Sequence, residues 1–292
     1  MILSFGYVAV FVVLVGVASF IESPVGRGFG AFQLNALIRA GSLAAGAVAL
    51  FAVHGLTLPV GPAVWAGLGI GLIMGVGSIC YCLSLNYLPV SLVVTFANLY
   101  IVITIFLGVV VLGEPITALK VAGLGCTLAG VLVLAHPPAR NGVQLETGPD
   151  DKSLPIRAFV IMGTYIVLSG VGTFLEKPAL RGLDPTQLNG LQAIAMTAVA
   201  AIVLAVKGPR LSMTKRTVGG IGVGAMIGVA SVFYFLGLRG LPVSIAAASS
   251  NAYIVVTVLL STIVLRQPLT RARSGAMALT LLGVTLLALS AG

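Results

Sequence analysis

Long apolar runs, separated by short clusters of Gly, Pro, Asn and charged residues, account for nearly all of this 292-residue chain. Ten of them approach the roughly 20 residues that an α-helix needs to cross the hydrocarbon core of a bilayer. They lie at 2–21, 31–53, 64–87, 90–112, 118–135, 156–175, 186–206, 217–239, 243–265 and 270–290. The runs are too long for membrane strands and lack a two-residue alternation, so they predict helices rather than an outer-membrane barrel. Composition points the same way. With 59% hydrophobic and 8% charged residues, the chain has too little polar surface to cover a water-soluble globule. The expected fold is an all-α integral membrane protein with ten transmembrane helices.

The polar residues carry a second pattern. Glu22, Pro24, Arg27, Gly28, Gln33, Leu34 and Asn35 recur in order as Glu176, Pro178, Arg181, Gly182, Gln187, Leu188 and Asn189, an offset of 176 − 22 = 154. Residues 16–37 and 170–191 agree at 11 of 22 positions. Shared apolar character does not place Glu, Arg, Gln and Asn in register, so the chain holds an internal duplication. A second block, Gly71, Gly75, Tyr81, Leu88, Pro89, Ser91, Asn98, Tyr100, Thr104, Pro115 and Thr117, recurs at an offset of 242 − 89 = 153. One deletion separates the blocks. Each copy holds five helices, and an odd number makes the second copy enter the membrane from the opposite side. The expected units are a first five-helix repeat at 1–135, a polar linker at 136–155 and a second, inverted five-helix repeat at 156–292.

In inverted repeats the substrate site lies near the bilayer midplane between the copies, and access alternates as one half rocks against the other. One chain supplies both halves, so a dimer is not required. The first run lacks a basic leading region, and its end, Gly16 to Phe20, reappears at Gly170 to Phe174. It is therefore read as a retained helix rather than a signal peptide.

The inverted five-helix repeats, the short connection Asn86-Tyr87-Leu88-Pro89-Val90 and the stretch Leu112-Gly113-Glu114-Pro115-Ile116-Thr117 ahead of a Gly-rich fifth helix resemble the EamA-like family of the drug/metabolite transporter superfamily. The resemblance covers nearly the whole chain. It implies a multi-pass transporter of the inner (cytoplasmic) membrane that exports amino acids, other metabolites or drugs, with some relatives moving nucleotide-sugars, sugar phosphates or cations. In the second repeat Arg266-Gln267-Pro268 stands where Gly113-Glu114-Pro115 stands in the first, so Glu114 has no symmetric acid.

Depth selects the residues expected to meet a substrate. Asn98 and Asn251 each lie eight residues into a helix, about 12 Å from opposite surfaces of a core about 30 Å thick. An amide there faces protein, water or ligand, because an unpaired one is costly. Interhelical hydrogen bonding is the alternative to ligand contact. Tyr81 and Tyr234 are also paired by symmetry and suit a cavity wall, or an interfacial anchor. Tyr100 and Tyr253 are two residues beyond each Asn, about 200° around a regular helix, and are not expected on its face. Arg39, about 12 Å inside the second helix, is a candidate for holding a carboxylate or phosphate. Its symmetric residue is Ala193, and a packing role is the alternative.

All seven acids, Glu22, Glu114, Glu146, Asp150, Asp151, Glu176 and Asp184, fall at helix ends or in loops under the predicted spans. That placement argues against a proton-coupled exporter of lipophilic cations, which needs a buried acid. Glu22 and Glu176, each followed by Pro and Arg, are candidate gate latches near the two faces, or structural charge clusters at helix ends. Pro24, Pro89, Pro115, Pro178, Pro242 and Pro268 are read as marking helix ends. Gly67, Gly69, Gly71 and Gly75 recur as Gly220, Gly222, Gly224 and Gly228, a bare stripe for close helix approach. Cys80, Cys82 and Cys126 lack metal or redox spacing and are read as packing residues.

The face holding both termini carries four cationic residues, Lys120, Lys177, Arg181 and Arg239; the linker face carries eleven. The positive-inside rule then places the termini outside, whereas the resemblance implies cytoplasmic termini. The net charge of +9 reflects this loop bias and does not imply nucleic-acid binding.

The expected partners are the lipid bilayer and a small-molecule substrate. A small polar metabolite, an amino acid first, fits an interior of amides, phenols and one Arg. The alternatives are an exporter of amphipathic or cationic drugs, favoured by a titratable acid in the cavity, and a carrier of a phosphorylated lipid or sugar, favoured by converging Lys and Arg. His54 and His136 lie at helix ends without metal-ligand spacing, and no protease-like or phosphate-cradling motif occurs. Neither enzyme activity nor a cofactor is expected.

Overall fold

The computed structural model describes residues 1–55, 61–88, 90–135, 156–207, 214–266 and 269–290. The linker at 136–155, with His136, Glu146, Asp150 and Asp151, lies outside the described residues, as do Pro89, Gln267 and Pro268. In the first repeat the helices are α1 (Ile2–Gly26), α2 (Ala31–His54), α3 (Pro62–Ser84), α4 (Val90–Ala97), α5 (Tyr100–Leu112) and α6 (Ala118–Ala135). The second repeat runs α7 (Ile156–Ala179), α8 (Pro185–Lys207), α9 (Lys215–Gly240), α10 (Val243–Ser250), α11 (Tyr253–Val264) and α12 (Arg271–Ser290). Segments α4 and α5 form one rod, and α10 and α11 another. Among the described residues nine rods are long and apolar enough to cross a membrane, with a shorter apolar helix at Ala118–Leu134. The order confirms two five-rod repeats of inverted topology.

Local chemistry sets the ends. Asp184 caps α8: its Oδ1 accepts from the backbone N–H groups of Thr186 and Gln187 at 2.9 and 3.1 Å, while its own N–H donates to Gln187 Oε1 at 3.2 Å. This is a reciprocal capping box with Pro185 in the first helical position. The symmetric Gln33 accepts from the backbone N–H of Gly30 at 3.0 Å, so the duplicated glutamines do one job at both helix starts. Gly113 stops α5 with φ +65°, a left-handed conformation that a side chain disfavours.

His54, at the end of α2, pairs with Asp184, tying the repeats together on the terminus face. Burial opposes ionisation of Asp184, but the Thr186 hydroxyl, the two backbone N–H groups and His54 more than offset it and hold this carboxyl below its ordinary 3.8. A depressed carboxyl stabilises the fold above its unfolded pKa and loses that contribution as pH falls through the folded value. Asp184→Ala is therefore expected to cost about 0.5–2 kcal/mol at neutral pH, the range for a lost N-cap. Thermal unfolding of purified protein should show this gap narrowing only as pH drops below 3.8; a gap independent of pH would sink the electrostatic account.

Three expectations change. First, α1 and α7 run past the predicted ends at 21 and 175, through Pro24 and Pro178 and into the next turn. These prolines sit inside the last turns instead of marking ends, where the one backbone bond each removes is tolerated. Glu22 and Glu176 consequently lie within spanning helices, and the placement of all acids at ends or loops is corrected for these two. Second, the rods predicted as continuous at 90–112 and 243–265 tighten at Asn98 and Asn251. Asn98 Nδ2 donates to the Val94 carbonyl at 2.8 Å, competing with the backbone. The chain answers with three-residue turns: Leu99 N to Phe96 O at 2.9 Å and Val102 N to Leu99 O at 3.0 Å, mirrored by Ala252 N to Ser249 O at 3.1 Å and Val255 N to Ala252 O at 2.9 Å. Third, the glycine stripe is not one surface. Gly67, Gly71 and Gly75 meet α8, and Gly220, Gly224 and Gly228 meet α2, while Gly69 and Gly222 have no neighbour within 4 Å.

The repeats are interwoven. Helix α9 packs on α1 and α2, and α11 on α1; symmetrically, α3 packs on α7 and α8, and α5 on α7. Thr257 Oγ1 donates to the Gly16 carbonyl at 3.1 Å and Thr104 Oγ1 to that of Gly170 at 3.0 Å; a Cβ at either glycine would run into Val256 or Ile103 of the same neighbouring helix, so both positions require glycine. The fifth helices, α6 and α12, pack on each other.

Candidate functional site

A cavity of about 580 Å³ lies between the two interwoven groups of helices. Its wall takes Glu22 from α1, Asn35 and Arg39 from α2, Ser78, Tyr81 and Cys82 from α3, and Tyr165, Ser169 and Thr173 from α7. The two tightened rods contribute Asn98 with Tyr100 and Asn251 with Tyr253. Leu34, Leu85 and Val94 also line it, so it extends from the midplane toward the linker face.

Asn251 Nδ2 donates to Asn98 Oδ1 at 3.1 Å across the pseudo-twofold axis. The two amides thus bond to each other and line the cavity at once. Tyr100 Oη donates to Asn251 Oδ1 at 3.3 Å. Tyr100 and Tyr253 therefore share the cavity with the Asn pair, contrary to the expectation from a regular helix, because the turn between them is tightened. Asn98→Ala and Asn251→Ala are each expected to lower flux about threefold to tenfold, the factor for one interhelical hydrogen bond of roughly 0.6–1.5 kcal/mol. The variants should remain folded by size-exclusion chromatography; full transport by both would remove the pair from the site.

Arg39 is held in place. Its Nε donates to Asn35 Oδ1 at 3.3 Å and Nη1 lies 3.8 Å from Met196 Sδ. Asn35 Nδ2 in turn donates to Ser78 Oγ at 3.4 Å. Glu22 and Arg39 both line the cavity, so it holds a carboxyl group and a guanidinium together. The Tyr81 and Tyr165 rings pack with centroids 5.4 Å apart.

Two predicted site residues lie elsewhere. Tyr234 does not line this cavity: it is buried against Phe11 and Phe235, with centroids 5.2 and 5.7 Å away. Glu176 is 4% exposed, accepts from Gln192 Nε2 at 3.3 Å, and is not among the residues lining this cavity. Tyr165, Ser169, Thr173 and Ser78 were not singled out from sequence.

The terminus end is sealed. Val8, Leu180, Leu183, Leu238, Leu241 and Val243 form a buried apolar plug. Lys177 Nζ donates to the Leu238, Arg239 and Leu241 carbonyls at 2.6, 3.1 and 2.9 Å. Glu114 closes the plug from 129 residues away: Oε1 accepts from Val243 N at 2.5 Å, and Oε2 from the Ser244 backbone N–H at 3.3 Å and from its hydroxyl. The carboxylate thus satisfies the free N–H groups and positive end of α10. Lys120 Nζ, 3.1 Å from Glu114 Oε2, completes a pair with side chains only 4% and 8% exposed.

The sequence matches the model of the EamA-like transporter family twice, over residues 3–135 and 157–289. No curated protein matches it. A solved structure described only as a crystal structure of a protein has the same fold, with a TM-score of 0.82 and 21% sequence identity over 99% of this chain and 97% of that one. The chain belongs to the EamA-like transporter family of the drug/metabolite transporter superfamily.

Proposed function

We propose that the protein exports amino acids across the cytoplasmic membrane by alternating access, with the substrate held between Glu22 and Arg39. The observation that carries this reading is that Glu22 and Arg39 line one cavity whose other described lining residues are neutral. A zwitterion offers a carboxylate to the Arg39 guanidinium and an ammonium to Glu22, so that each end meets an opposite charge. The Asn98–Asn251 pair and the phenols of Tyr81, Tyr100, Tyr165 and Tyr253 supply neutral polar contacts. The cavity volume is in the range of small-molecule sites.

A second reading follows from the corrected position of Glu22. A titratable acid in the cavity is what an exporter of amphipathic cations needs, although Arg39 beside it opposes binding of a lone cation. A phosphorylated substrate finds one cationic side chain, Arg39, among the described residues of the wall. The deciding experiment is solute flux from proteoliposomes loaded with labelled neutral, acidic and basic amino acids, choline, a lipophilic cation or a sugar phosphate, with and without a pH gradient. Saturable amino-acid flux that persists without the gradient supports the first reading. Lipophilic-cation flux that requires the gradient replaces it with the second.

A further inference from the structure

Behind the Asn pair, on the sealed side, lies a mirror image of half the cavity. Glu176 and Tyr234 are the symmetry counterparts of Glu22 and Tyr81, which line the open side. Both are occluded here. Tyr234 is 7% exposed and its buried hydroxyl has no hydrogen-bond partner among the described residues. It packs in one buried cluster with Phe174 and Leu175, the residues that precede Glu176 on α7. A buried phenol left unsatisfied is uncommon, and in an inverted repeat the residues hidden in one state are those presented in the other.

The mirror is incomplete in one respect. Where the open side has Arg39 the sealed side has Ala193, and beside it Gln192 donates to Glu176. Lys177, the nearest cation in sequence, is committed to three backbone carbonyls of the plug.

From this arrangement we infer that Glu176, Gln192 and Tyr234 form a second substrate half-site, exposed when the protein opens at the terminus face. It binds an ammonium group and, among the described residues, offers no uncommitted cation to a carboxylate. The inference rests on the amino-acid reading for the identity of the ligand. A zwitterion gripped at both ends on the linker side is gripped at one end on the terminus side, so the second half-site is the weaker. It takes up the ammonium as the carboxylate leaves Arg39. The Tyr234 hydroxyl gains its missing partner in that state. Glu114 and Lys120, which hold the N-terminus of α10 over the plug, are the contacts that must part for it to open.

The test uses single-cysteine proteins in a background with Cys80, Cys82 and Cys126 replaced by Ala. Tyr81→Cys and Tyr234→Cys are labelled with a membrane-impermeant sulfonated maleimide, added to each side in turn using intact cells and inverted vesicles. Tyr81→Cys is expected to react from the linker side. Tyr234→Cys is expected to be inert until Glu114→Gln is added, and then to react from the terminus side at least about tenfold faster, as the population shifts. Ser244→Ala, which removes one hydroxyl from the same contact and keeps both charges, should give a smaller increase in the same direction. Tyr234→Cys that stays inert in both latch variants, with each eluting as folded protein, overturns the half-site; so does labelling from the linker side. Protection of Tyr234→Cys by the amino acids of the flux panel supports the ligand assignment. Side-specific labelling without such protection overturns the amino-acid reading and leaves the half-site standing.

Discussion

On the proposed amino-acid reading, Arg39→Gln is expected to lower amino-acid efflux from reconstituted vesicles by about tenfold or more, the loss that follows when a charged hydrogen bond of roughly 1.5–3 kcal/mol is removed. The guanidinium is positioned by Asn35 and Met196 and lines the cavity, so its removal would leave the proposed substrate carboxylate without a cation at membrane depth. Folding should survive, because the Thr197 hydroxyl bonds to the Arg39 backbone carbonyl at 3.0 Å and that contact does not need the side chain. Arg39→Lys keeps the charge and loses the planar fork, so an intermediate flux is expected. Glu22→Gln gives the complementary result, a loss borne by solutes with an ammonium group. Flux of the labelled panel measures all three. Should Arg39→Gln leave amino-acid efflux intact while raising that of the lipophilic cation, Arg39 is a barrier to cations and not a ligand for carboxylates.

The largest loss of stability is expected at Gly224, where α9 crosses α2. A Cβ there would overlap the Ile38 backbone, including its carbonyl oxygen, and backbone cannot move aside as a side-chain tip can. The Ser42 hydroxyl donates to the Gly224 carbonyl at 2.9 Å, so parting the helices also breaks a bond at the same crossing. Gly224→Ala should cost about 3 kcal/mol or more, the upper part of the range for overpacking. Gly222→Ala, two residues away, has nothing within 4 Å and should be neutral or slightly stabilising because alanine is the better helix former. Thermal unfolding in detergent compares the two. Equal losses would mean that helix approach at this seam is not what the glycines provide.

The helices, their count and their inversion were legible because the duplicated polar residues survive in register between apolar runs. The Asn98–Asn251 pair was legible for the same reason: two amides at equal depth in symmetric helices have each other within reach. Glu22 was misplaced by reading Pro24 as a helix end, a rule that weakens in a bilayer where the next turn still bonds internally. Tyr100 and Tyr253 were not expected on the face of the Asn pair because a 3.6-residue period was carried unbroken across Asn98 and Asn251, where three-residue turns tighten the rods. Glu114 was noted as unpaired by symmetry, but its partners at α10 are 129 residues away, and no local pattern encodes a cap made over that distance. Tyr165 and Ser169 align with Phe11 and Val15 and carry no duplicated polar signature, and Thr173 shares only a hydroxyl with Ser19; only the fold brings α7 to the cavity.

Because α9 packs on α1 and α2 while α3 packs on α7 and α8, the rigid bodies on either side of the cavity each draw on both halves of the gene. Synthesis therefore cannot finish one body before starting the other. When the first five rods have entered the bilayer, α3 still presents Gly67, Gly71 and Gly75 to lipid, and α2 lacks the glycines that will meet it. Each seam closes only when the second copy arrives in the opposite orientation. Assembly is thus a late, mutual event in which two immature halves complete one another.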